Sequence, residues 1–129
     1  MSGIPSLLKP SIREFLRQEF EAVPPKRATS GKVHLEVWRS PRNRRPVGVE
    51  MGHEGLVNFW LVRLNMPKNL PDSVSVATKE PKGREWTDAA GDGANSNLSA
   101  YEEFRTKPIA RLAIVSVEDA RFVLESLLR

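Results

Sequence analysis

The 129-residue chain contains no cysteine, only two histidines and no long apolar run. Without cysteine there is no disulfide framework, no thiolate zinc site, no redox pair and no cysteine nucleophile, and the chain suits a reducing compartment. Its opening stretch, "MSGIPSLLKPSIREFL", lacks the apolar core of a secretory signal. No segment approaches the roughly 18 apolar residues that span a bilayer. A cytoplasmic protein with no membrane partner is therefore expected. No serine stands beside a histidine and an acid in a nucleophile elbow, so acyl-transfer hydrolysis has no support. The "GDGANSN" stretch at 91–97 has neither the lysine and spacing of a phosphate loop nor the ligand pattern of a calcium loop. Its Asp92, Asn95 and Asn97 suit local bonds to backbone.

What the chain does have is uneven charge. Twenty Lys and Arg stand against sixteen Asp and Glu, a formal net charge of +4 with a pI near 9.8. The surplus is local. Lys26, Arg27, Lys32, Arg39, Arg42, Arg44 and Arg45 face Glu36 alone between positions 26 and 45, so the rest of the chain is slightly acidic. A basic patch of this kind points to a polyanionic or acidic partner.

Hydrophobic periodicity gives the architecture. Ile12, Phe15, Leu16, Phe20 and Val23 recur at helical spacing, Ser11 and Glu14 form a capping box, and Pro24 and Pro25 stop the pattern, so a helix over about 11–23 is expected. Strands are expected at about 32–39, 47–51, 56–64 and 110–115, the third so apolar on both faces that it should be central. A final helix over about 117–128 is capped by Ser116 and buries Ala120, Val123, Leu124, Leu127 and Leu128. Residues 65–108 hold four of the ten prolines and three of the eight glycines and read as an irregular region. Within it "VSVAT" is a short strand, and "NLSAYEEF" one or two helical turns with Ser99 and Glu102 at capping-box spacing. The sum is one α+β domain spanning 1–129: a mainly antiparallel sheet of four to five strands, N- and C-terminal helices packed on one face, and a long irregular loop region.

Four arginines in the seven positions Arg39–Arg45 fall in the connection between the first two of these strands, where Pro41, Asn43 and Pro46 keep them in a solvated turn. Guanidinium forks suit phosphate, and Trp38 and Trp60 nearby offer stacking surface. A second pattern, Pro71–Asp72 followed by Glu80, Pro81 and Lys82, spells the PD…ExK order of metal-dependent nucleases, in which two carboxylates hold Mg²⁺ and a lysine activates water. Its eight-residue spacing leaves little room for two strands and a turn, and Pro81 breaks the second. Glu50, His53 and Glu54 form an acid–base cluster between two glycines, and His34 alternates along a strand.

The leading expectation is a small nucleic-acid-binding module, DNA rather than RNA, acting alone or as an accessory to a nuclease or modification system. It touches backbone through Lys26, Arg27, Lys32, Arg39, Arg42, Arg44 and Arg45, with Trp38 as stacking surface and the Lys79–Asn97 loop reading bases or groove shape. No catalytic residue, resident metal or cofactor is expected. The alternatives are a nuclease using Asp72, Glu80, Lys82 and Mg²⁺, and an assembly protein whose arginine turn meets an acidic protein partner.

Overall fold

The computed structural model describes residues 3–26, 35–82, 85–88, 91 and 93–129, without the side chains of 3–6, 85 and 96. In chain order the elements are helix α1 (Gly3–Glu19), strands β1 (Glu21–Ala22), β2 (Leu35–Arg39), β3 (Pro46–Glu50), β4 (Val57–Val62), β5 (Ser75–Lys82), β6 (Glu85–Thr87) and β7 (Ile109–Ile114), and helix α2 (Val117–Leu128). The strands form a seven-stranded sheet, ordered β1-β2-β3-β4-β7-β5-β6, in which every pairing is antiparallel.

The α+β class is as the periodicity implies, but four to five strands is an undercount. β1 and β6 are two and three residues long, too short to show an alternation. β5 is the longest strand and contains Pro81. The proline is tolerated because the β7 ladder ends at Lys79, so residues 80–82 pair only with β6 and Pro81 costs no bond to the sheet interior. β4 lies fourth of seven and is buried along almost its whole length, which explains its two-sided apolar run.

Both helices cover one face. Ile12, Leu16 and Phe20 of the first helical stripe and Ala120, Val123, Leu124 and Leu127 of α2 pack on Val47, Val49, Phe59, Leu61, Leu112 and Ile114. Ser116 caps α2 by accepting from the Asp119 amide at 3.1 Å, as its sequence predicts. The first helix is displaced from expectation. It begins at Gly3, encloses Pro10 and ends at Glu19, so the Ser11–Glu14 box is interior and Glu14 instead accepts from Gln18 at 2.9 Å. Val23 lies beyond the helix, its amide bonded to Val37, and is buried in the opposite core.

That opposite core explains the irregular region. Val37, Trp60 and Ile109 on the second face are covered by Leu98, Ala100, Tyr101 and Phe104, with Trp86 wedged among them. The Trp86 indole donates to the Lys107 carbonyl at 2.6 Å, and the Lys79 ammonium, its side chain 2% exposed, meets Asp88 at 2.8 Å. Gly48 lets this cover approach: a Cβ there would stand 3.2 Å from both Leu98 Cδ2 and Trp60 Cβ. The helical turn falls at Ser96–Ala100, and its cap is Asn95, whose side chain accepts from the Asn97 amide at 3.0 Å, rather than Ser99.

Candidate functional site

Residues 40–45 join β2 to β3 as a tightly bonded turn. The Ser40 amide donates to the Arg45 carbonyl at 2.9 Å, the Arg44 amide to the Ser40 carbonyl at 3.0 Å, and the Arg45 amide to Asn43 Oδ1 at 3.0 Å. The Asn43 amide group donates to the Leu127 carbonyl at 2.8 Å, which fastens the turn to the last turn of α2. Ser40 is fully buried beneath it, with no hydrogen-bond partner for its hydroxyl among the described residues.

This geometry divides the four arginines. Arg39 is committed to the fold: it projects from β2, pairs with Glu21 at 2.6 Å and lies 3.6 Å from Glu103. Arg45 Nη1 donates to the Ser126 carbonyl at 3.4 Å, a cation at the negative end of a helix. Arg42 and Arg44 are exposed and have no ion-pair or hydrogen-bond partner for their side chains among the described residues. Arg44 also has φ 63°, in the left-handed region.

The same end of the sheet carries a cation that the sequence pattern did not single out. Gly48 pairs with Trp60, and Val62 with Ile109, so the start of β7 lies at the end where Pro46 begins β3. Lys107 is exposed there, two strand spacings or about 10 Å across the sheet from β3. Its position reflects tertiary pairing, which no local charge count could register. Arg63, also at this end, is neutralised by Glu80.

Other predicted contacts are dispersed. Lys26 is exposed on the opposite face, its amide bonded to Ala100 at 2.8 Å. Arg27, Lys32, His34 and Asp92 lie outside the described residues, as do parts of the Lys79–Asn97 loop. Trp38 packs against the helix-side core and donates to Glu36 at 3.3 Å. Trp60 and Trp86 are buried, so neither offers a stacking face.

The PD…ExK residues do not converge. Asp72 precedes β5 while Glu80 and Lys82 close it, and the strand between Ser75 and Lys82 extends about 23 Å. Glu80 is occupied with Arg63. Among the described residues no group of three or more His, Cys, Asp or Glu is placed to hold a metal.

Glu50 and His53 do come together. Glu50 Oε2 lies 3.5 Å from His53 Nε2, and Glu50 Oε1 accepts from the Trp60 indole at 2.9 Å and from Asn58 at 3.5 Å. The loop between them and β4 turns through Gly55 at φ 77°, in the left-handed region. The carboxylate thus anchors a buried indole and a half-exposed histidine. Glu54 is exposed and does not join them. Comparison with family models, with curated proteins and with solved structures gives no match to this chain.

Proposed function

We propose that the chain is a nucleic-acid-binding module that docks the phosphate backbone of duplex DNA on its 40–45 turn. One observation carries this reading: an arginine occupies the left-handed position of that turn, at φ 63°. A non-glycine residue there costs about 1–2 kcal/mol, whereas glycine or asparagine adopts the conformation cheaply. Among the described residues the Arg44 side chain makes no ion pair or hydrogen bond in return, so its chemistry is best accounted for by a ligand. Arg42 beside it is equally without a partner among the described residues, and Lys107 adds a third exposed cation at the same end of the sheet.

The support lies in pre-organisation as well as charge. The hydrogen bonds at Ser40, Asn43 and Arg45 hold the backbone still, so little backbone entropy is lost when the two guanidinium groups meet phosphate. Such contacts position without specifying sequence, and the reading is accordingly one of backbone affinity. The nuclease alternative lacks a converging site, and the buried Trp60 and Trp86 offer no stacking surface of their own. An acidic protein partner would compete for the same arginines, and salt dependence together with sequence tolerance separates the two.

Arg44→Gly tests the reading. The variant keeps or gains stability through relief of the left-handed strain, and its affinity for duplex DNA falls severalfold. Unchanged affinity would remove the main reason for placing an arginine there.

A further inference from the structure

A second cationic surface lies apart from the turn. Lys9, Arg13 and Arg17 recur every four residues along α1, so they form a single row spaced by about one helical turn, 5–6 Å. They rim an open groove of about 660 Å³ between α1 and the start of β2 and end of β3, whose lining also includes Pro10, Leu35 and Met51. That volume falls within the range of small-ligand sites.

The three cations are not equivalent. Arg13 is pinned: its Nη2 donates to Glu36 Oε2 at 2.6 Å and approaches Met51 Sδ at 3.6 Å, and its side chain remains 43% exposed. Glu36 is itself fixed by the Trp38 indole at 3.3 Å. A planar guanidinium held by its edge leaves a face on which a flat aromatic group stacks, and the adjacent thioether favours the same kind of contact. Lys9 and Arg17 flank this plane with no ion-pair partner among the described residues, while Glu14, the remaining acid of the groove, accepts from Gln18.

We propose that this groove binds a nucleotide unit, with the base against Arg13 and Met51 and the phosphate on Lys9 or Arg17. The held Arg13 guanidinium with the Met51 thioether beside it calls for a flat aromatic body and the flanking cations for an anion, and a nucleoside phosphate joins both in one molecule. Two sources share that chemistry, a free nucleotide and an unpaired nucleotide within a strand. Only the strand source rests on the nucleic-acid reading above.

The test is an NMR titration of the full chain with adenosine 5′-monophosphate and, separately, with a short oligo(dA). The Met51 methyl and the amides of residues 9 and 11–17 shift and saturate, and Lys9→Gln/Arg17→Gln weakens binding about tenfold while melting normally. Saturation by the mononucleotide marks the free source, and saturation by the oligonucleotide alone marks the strand. No shift with either probe overturns the proposal, as do equal shifts with inorganic phosphate or with oligoglutamate. Arg42→Gln/Arg44→Gln provides the separation from the turn. If that variant loses duplex binding while the groove never responds, the turn reading stands and the groove falls. If the groove binds mononucleotide in a protein with no duplex affinity, the reverse holds.

Discussion

The side chain of Asn43 and the backbone carbonyl of Leu127 meet at 2.8 Å, tying a turn between two strands to the end of a helix 84 residues later. This bond satisfies one of the carbonyls that every helix leaves without an internal partner in its last turn. The Oδ1 of the same side chain takes the Arg45 amide at 3.0 Å, so Asn43 supports both the turn and the helix. Asn43→Ala removes both contacts and is expected to cost about 1–2 kcal/mol in urea denaturation. A loss under about 0.3 kcal/mol would mean that the turn is not anchored to α2.

Gly48 controls how closely the 94–107 segment lies on the sheet. An added Cβ would sit 3.2 Å from Leu98 Cδ2 and Trp60 Cβ and 3.4 Å from Leu35 Cδ1. Leu98 Cδ2 is the far end of a side chain, but Trp60 Cβ is fixed by its strand. Gly48→Ala is therefore expected to destabilise by about 1–3 kcal/mol, through overpacking rather than a backbone effect. An unchanged melting temperature would show that the cover yields freely.

Tyr101 supplies a pH dependence. Burial, and secondarily the negative charge of Glu103, raises its hydroxyl above the usual value of 10. A raised folded-state value means that the folded chain holds the proton more tightly than the unfolded chain. This contribution is complete below about pH 10 and is lost as pH climbs through the raised value. Tyr101→Phe removes the ionisation, so the stabilities of wild type and variant, measured between pH 8 and 11.5, should diverge only above about pH 10. Parallel curves throughout would contradict the shift.

Much of the fold was legible because the long elements carry long patterns. The α2 stripe with its Ser116 cap and the apolar run of β4 each matched within a residue or two. The start of α1 was not legible, because a Ser–x–x–Glu spacing is a local signal that an interior Ser11 satisfies equally well. Nor was the second core: Leu98, Tyr101 and Phe104 lie in a polar, glycine-containing context and become apolar cover only when β2, β4 and β7 assemble beneath them. At the turn, sequence located all four arginines but could not divide them. What separates Arg45 from Arg44 is a helix end 81 residues away and the sign of one backbone dihedral.

The central claim is that Arg42 and Arg44 serve a phosphate backbone rather than the fold, and the salt dependence of duplex binding tests it most directly. Each arginine that neutralises a phosphate releases condensed counterion, worth about 0.9 in the slope of log affinity against log salt. The Arg42→Gln/Arg44→Gln variant should melt within about 0.5 kcal/mol of wild type, because neither side chain is engaged among the described residues. Its slope should be shallower by about 1.8, with binding to unrelated duplex sequences weakened alike. A variant that melts normally and binds duplex DNA with the wild-type slope would contradict the account.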